Sequence, residues 1–203
     1  MMRIGLTGGI AAGKSTVSAI LRDLGARIVD YDLLAREVVA PGGAALPAIV
    51  DAFGPDALDA DGALDRAWMA EHVFGRAAEP GARERLDAIE HPLIYQAAAR
   101  LEDTDAAVVV HDVPLLAEVR DSMPFRFDRI VTVEAPEETR VARMTDTRGM
   151  TREQALDRIR HQSTRAEREA LADEVIDSSR PLGEMAARVE ALYRNWLAAN
   201  GSH

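Results

Sequence analysis

Short apolar runs alternate with helical periodicity along this 203-residue chain. Ile4-Gly5-Leu6-Thr7 reads as a strand that runs into glycines. Behind it, Val17, Ile20, Leu21 and Leu24 fall at i, i+3, i+4 and i+7, one face of a helix that Gly25 can close. Arg27-Ile28-Val29-Asp30 reads as a second strand, followed by a helical stretch over residues 33–39. Residues 106–110 form a continuous apolar run, as expected of a strand buried on both faces. Residues 129–133 and 174–176 complete a set of five. Strands separated by helices require right-handed crossovers and a parallel sheet. The pattern predicts an α/β fold, a five-stranded parallel sheet flanked by helices.

Residues 44–103 break this rhythm. They hold no convincing strand, only helical segments that Gly54-Pro55, Gly62, Pro80-Gly81 and His91-Pro92 are expected to cut. We read them as a helical insertion that forms a substrate-binding layer. Pro136-Glu137-Glu138 opens another helix, since proline suits the first turn and acids suit the positive end of the dipole. Thr151-Arg152-Glu153-Gln154 has capping-box spacing ahead of Ala155, Leu156 and Ile159. The last helix aligns Leu182, Met185, Val189, Leu192, Tyr193 and Trp196 on one stripe, that of a helix packed on a core. The core is thus expected from 1–43, 104–135 and 173–203, with separate helical segments over 44–103 and 136–172.

Composition narrows the classes. A formal charge of −10, from 24 Lys+Arg against 34 Asp+Glu, argues against general binding to a nucleic-acid backbone. Cysteine is absent, which excludes disulfides, a Cys-ligated zinc site and thiol catalysis. No apolar run approaches the roughly 18 residues of a membrane span, and Met1-Met2-Arg3 leads straight into the first strand without a signal peptide. The expectation is a cytoplasmic protein without membrane or nucleic-acid partners, a monomer or a weak homo-oligomer. Lys14 is the sole lysine, all other basic side chains being arginine. Residues 140–168 carry eight arginines against four acids. A basic island in an acidic chain points to a local anionic ligand.

Gly8-Gly9-Ile10-Ala11-Ala12-Gly13-Lys14-Ser15 matches G-x-x-x-x-G-K-[ST], after a strand and before a helix. Glycines let backbone N–H groups converge on phosphate oxygens, and the following helix adds its positive end. Lys14 can reach the β- and γ-phosphates of a nucleotide, and the Ser15 hydroxyl is a candidate magnesium ligand. The alternative, an ordinary glycine-rich turn, does not explain why the sole lysine falls here. A guanine-reading N-K-x-D cannot exist, because the only asparagines are Asn195 and Asn200. A small-molecule kinase is the better class.

Asp30-Tyr31-Asp32 follows the second strand. Ligands of open parallel sheets sit beyond the carboxyl ends of the strands, so Asp30 or Asp32 should face the cradle. A carboxylate there can hold an acceptor hydroxyl and take its proton. Position alone leaves helix capping equally open.

At this point the sequence resembles the dephospho-coenzyme A kinase family. Residues Leu6 to Thr16 and Val29 to Val39 carry the likeness, with D-x-D-x-x-x-R at Asp30, Asp32 and Arg36. So do His91-Pro92-Leu93-Ile94, Val113-Pro114-Leu115-Leu116, the arginine-rich stretch from Arg143, and Ala172-Asp173-Glu174-Val175-Ile176-Asp177. The resemblance runs in order over nearly the whole chain. It implies a P-loop kinase fold in which residues 136–172 form a mobile lid. It also implies transfer of phosphate from ATP to the ribose 3′-hydroxyl of dephospho-CoA, with Mg²⁺, the last step of CoA synthesis. Carried over by position, Asp32 is the general base, and Lys14 and Arg143 act on the transferring phosphate. Gly8, Gly9, Ile10, Ala11, Ala12, Gly13, Lys14, Ser15 and Thr16 bind ATP, Ser15 holds the metal, and Thr7, Arg36 and His91 line the acceptor site. Plainer roles stay open: Arg36 as a helix-surface arginine, His91 as the shaper of a turn, Arg143 as a solvated residue. Asp112 is equally a magnesium-side group or a cap. A kinase for another nucleotide or small alcohol, or an ATP-binding switch, remains the alternative.

Three positions depart from the family pattern. Tyr31 stands between the acids where alanine is usual. Position 147, where a second lid arginine is usual, is a threonine: either Arg148, which we assign to ATP, substitutes for it, or that contact is lost. Asp177-Ser178-Ser179 replaces a sequence that tends to place asparagine after the last strand.

Overall fold

The computed structural model describes residues 1–201. The strands are β1 (Met2–Gly8), β2 (Arg27–Asp30), β3 (Val108–Asp112), β4 (Arg129–Glu134) and β5 (Glu174–Asp177). The helices are α1 (Lys14–Asp23), α2 (Tyr31–Val38), α3 (Leu46–Phe53), α4 (Arg66–Val73) and α5 (Ala82–Leu101), then α6 (Leu116–Val119), α7 (Glu137–Arg148), α8 (Arg152–Arg160), α9 (Arg165–Leu171) and α10 (Leu182–Asn200). The packing divides into two units, one of Met1–Asp30 with the chain from Glu102 onward, the other Tyr31–Leu101.

The first unit holds the sheet. All four strand pairings are parallel, in the order β2-β3-β1-β4-β5. β1 lies in the middle, so its carboxyl end opens where the strand order reverses. Ile4, Leu6, Val108, Val110, Val131 and Val133 are buried with Val17 and Leu21 of α1 and the α10 stripe of Met185, Val189, Leu192, Tyr193 and Trp196. The strand boundaries differ from the apolar runs in one instructive place. β3 begins at Val108 and continues through His111 and Asp112, both buried. Polar residues inside a parallel strand need partners: His111 Nε2 lies 2.5 Å from Glu102 Oε1, which also accepts from Arg3 Nε at 2.6 Å. Desolvation pushes the His111 imidazole below its usual pKa.

The α7–α9 segment belongs to this unit. Val141, Met144 and Ala155 form a small core of their own, against which Ile10 and Ala11 pack. Thr151 and Thr164 close capping boxes with Gln154 and Glu167 at the starts of α8 and α9. On α9, Arg168 donates from Nε and Nη2 to the two carboxylate oxygens of Glu134 at 2.7 and 2.8 Å, both side chains fully buried.

The second unit is helical. α2, placed by sequence with the core segment 1–43, packs instead on α5, together with α3 and α4. Asp65 caps α4, accepting from Ala67 N and Trp68 N at 3.0 and 2.9 Å. Gly54, Gly62 and Gly81 break the chain as expected, all at positive φ. His91-Pro92 does not: α5 runs unbroken from Ala82 to Leu101 with Pro92 inside it. Proline removes one helical hydrogen bond there, but Leu86, Ile94 and Ala98 bury one continuous face across it. His91 is therefore a helix residue, and the turn reading fails.

Candidate active site

β1 leaves the sheet at Gly8, where a Cβ would stand 2.5 Å from the Val133 carbonyl oxygen of β4. Ala12 N then donates to Gly9 O at 3.0 Å, closing a turn in which Ala11 has φ 59°. Ala11 is the one non-glycine residue at positive φ among the described residues. Gly13, at φ 97°, is the N-cap of α1. Lys14 thus begins the helix, and Ser15 and Thr16 stand exposed in its first turn, where backbone N–H groups lack intrahelical acceptors. The positive helix end and the hydroxyls of Ser15 and Thr16 open on one hollow.

The Lys14 ammonium pairs with the Asp112 carboxylate at the end of β3. Burial pushes the Asp112 carboxyl above the ordinary carboxylate range, with Lys14 opposing the shift. Asp30, at the end of β2, stands in register with Asp112. Asp112, left open by the sequence as a cap, is therefore the counter-ion of the cradle lysine.

Arg143 on α7 reaches the other flank. Its Nη1 donates to Ala11 O at 3.1 Å and to Ser178 Oγ at 3.0 Å, and its Nη2 donates to Ser178 O at 2.7 Å. The Ser178 hydroxyl donates in turn to Ala12 O. This is not a solvated arginine. Arg148 ends α7 before Gly149, which turns the chain at φ 61°. A cavity of about 460 Å³ opens here, lined among others by Ser15, Thr16, Arg143, Arg148, Ser178 and Arg180. Arg148 thus stands on the same hollow as Arg143 despite its displacement by one residue.

Thr7 departs from expectation. It is fully buried and its hydroxyl donates to Pro114 O at 3.2 Å, so it ties β1 to the turn after β3 instead of meeting a substrate. Ile10 contributes no free amide, since its N–H is taken by Gln162 Oε1 at 2.8 Å. Arg140 Nε donates to Ile10 O at 2.8 Å. Sequence reading passed over Arg140 and Gln162, and met Ser178 only as a departure from the family pattern, without a role. Only Arg140 carried a signal, its membership of the basic island.

In the second unit, Asp32 and Arg36 stand exposed four residues apart on α2, one face of one helix. Tyr31, the residue between the acids, is buried at the start of α2 and packs. His91 on α5 lies 3.8 Å from Asp87 and its ring centroid is 5.8 Å from that of Tyr95. Beside it Glu90 titrates at about 7, raised chiefly by burial and secondarily by Asp87, with Arg66 opposing. The folded chain therefore keeps a proton that the unfolded chain releases near 4.5. Stability contributed by that proton is complete below 4.5 and is lost as pH rises to about 7. The Tm gain of Glu90→Gln over the parent should be near zero at pH 4.5 and plateau above pH 7, worth about 1 kcal/mol after allowing for solvent screening. Thermal melts across that range check it; a gain that does not vary with pH counts against the assignment.

A central parallel strand running into a glycine-rich loop, a lysine at the first position of the next helix and arginines from a later helical segment together define a P-loop kinase of small molecules. The family model described as "Dephospho-CoA kinase" matches residues 2–184. A dephospho-CoA kinase of Bifidobacterium longum is 64% identical over 200 residues, 98% of either chain. A solved structure of TT1252 from Thermus thermophilus superposes with a TM-score of 0.78 at 30% identity, covering 96% of this chain and 97% of that one. A dephospho-CoA kinase of Campylobacter jejuni shares the fold at a TM-score of 0.61 and 20% identity, covering 96% of each. The chain belongs to the dephospho-CoA kinase family. Among the described residues no helix is long and apolar enough to cross a membrane.

Proposed function

We propose that this protein transfers the γ-phosphoryl group of ATP to the ribose 3′-hydroxyl of dephospho-CoA, giving CoA and ADP. The observation that carries the reading is the Lys14 cradle at the sheet's central strand, flanked by Arg143 and Asp112, in a chain that matches this family over nearly its full length.

The roles follow from the chemistry each group can do. The N–H groups opening α1 and the Lys14 ammonium hold the ATP phosphates; for Lys14 this means leaving Asp112 for a stronger anion. Arg143 and Arg148 neutralise charge on the transferring group. Asp32 accepts the proton of the attacking hydroxyl, and Arg36 and His91 hold the acceptor. Residues 136–172 act as a lid that excludes water. The hydroxyl of Ser15 and the carboxylate of Asp112 are hard oxygen donors that suit a magnesium ion retaining most of its water. Held there, that ion would supply neutralisation of the phosphate charge. Catalysis is then positioning and electrostatics, with no covalent enzyme intermediate.

The test is ADP formation with purified protein and ATP, with and without dephospho-CoA, followed by mapping of the new phosphate. Acceptor-dependent ADP with phosphate at the ribose 3′ position is expected. Turnover with another alcohol and none with dephospho-CoA overturns the reading, as does nucleotide binding that no acceptor converts to ADP.

A further inference from the structure

The backbone of Ile10, at the tip of the cradle, is held at both its N–H and its carbonyl by the α7–α9 segment. Gln162, between α8 and α9, accepts from Ile10 N at 2.8 Å. Arg140, on α7, donates from Nε to Ile10 O at 2.8 Å. The next carbonyl, that of Ala11, accepts from Arg143 at 3.1 Å. The side chain of Ile10 packs with that of Ala11 on the small core of α7 and α8.

Each holding group is itself anchored. Ser163, the neighbour of Gln162, gives its carbonyl to Arg168 Nη1 and its N–H to Glu118 Oε1 at 2.8 Å. Arg168 is locked on Glu134 of β4 by two hydrogen bonds, and Thr132 Oγ1 donates to the same carboxylate at 2.7 Å. Arg140 lies flat against Gly9: a Cβ there would fall 2.6 Å from its Cζ. Arg140 as a whole is only 5% exposed, and its Nη2 is the one buried side-chain polar atom without a hydrogen-bond partner among the described residues. A charged group is rarely desolvated with a donor unused unless something else fixes it.

What it fixes is a strained turn. Ala11 sits in the left-handed region at φ 59°, which is unfavourable for a non-glycine residue and persists only when its surroundings enforce it. The Ile10 and Ala11 carbonyls that bracket this residue are the ones that Arg140 and Arg143 hold.

We propose that Arg140 and Gln162 are positioning residues for ATP: by holding the two successive peptide groups that flank the Ile10 Cα they impose the left-handed turn at Ala11, so that the α7–α9 segment sets the shape of the cradle before nucleotide arrives. Neither residue touches phosphate in this scheme. The kinetic part rests on the reading that the cradle takes ATP; the structural part does not.

Gln162 is half-buried and is the variant least exposed to misfolding. In Gln162→Leu, amide hydrogen exchange over residues 9–12 should accelerate about tenfold, the loss of one ordinary hydrogen bond. The ATP KM should rise by a similar factor, roughly 5- to 10-fold, while kcat and the dephospho-CoA KM stay within about twofold. Gln162→Glu, which keeps an acceptor oxygen, should restore the ATP KM. Because Arg140 acts on the same residue's backbone, Arg140→Met combined with Gln162→Leu should cost less than the product of the single effects. Unchanged exchange over residues 9–12 in Gln162→Leu overturns the clamp whatever the kinetics. An unchanged ATP KM, or a KM that rises equally for both substrates, overturns its role in positioning. A parent protein without acceptor-dependent ADP formation would sink the kinase reading and leave the exchange measurement to decide the clamp.

Discussion

Lys14→Ala is expected to lower kcat/KM by about three orders of magnitude or more, the range associated with losing a preorganised charge at a transferring phosphoryl group. The effect has two sources. The substitution removes the one ammonium group in the chain that can follow the γ-phosphate as charge develops on it. It also strips Asp112 of its counter-ion. A buried carboxylate already pushed above its usual range loses the one group opposing burial most strongly, so Asp112 would bind a proton still more tightly and cease to act as a dependable oxygen donor beside the phosphates. No arginine can substitute, since those lining the cavity approach from α7 and from the turn after β5. A coupled ADP assay measures the loss, and the nucleotide-induced rise in Tm should vanish with it. Activity within tenfold of the parent would mean that the transferred phosphate is held elsewhere.

Asp32→Asn should reduce kcat by roughly 10²–10⁴-fold, the contribution of a positioned general acid–base group. Asparagine keeps the size of aspartate and one hydrogen-bonding oxygen, so α2 is not disturbed at this exposed position. What it cannot do is accept the hydroxyl proton. The ATP KM should change little, because Asp32 and the cradle belong to different packing units. The split between kcat and the ATP KM separates this residue from Lys14, whose loss weakens nucleotide binding and turnover together. A near-normal kcat in Asp32→Asn removes the base assignment and leaves the kinase reading standing.

The sheet was legible because each strand carries a short apolar run, Ile4 to Leu6 in β1, Ile28-Val29 in β2, Ile130-Val131 in β4 and Val175-Ile176 in β5, set off by helical periodicity on either side. β3 followed this pattern only in part. Its last two residues, His111 and Asp112, are polar, and the sequence does not announce the partners in β1, α1 and the chain before β3 that make their burial tolerable. Pro92 misled for a related reason: a local rule about helix breakers was outweighed by an apolar face that continues on either side of it. In the site, the cradle was readable because its chemistry demands particular residue types at fixed spacing. Thr7 shares the motif's neighbourhood without its role, and only burial distinguishes the two. Gln162 and Ser178 act through contacts with backbone atoms more than 150 residues away in sequence. Such contacts place few demands on local sequence and leave no pattern to read.

The solitary lysine has a practical corollary. Its side chain is 18% exposed and pairs with a carboxylate, so among the side chains of this protein a reagent that acylates amines finds one target, at the position proposed to hold phosphate. Stoichiometric modification of the ε-amino group would therefore titrate intact cradles, and the slowing of that modification by nucleotide would read occupancy without any tag having been introduced.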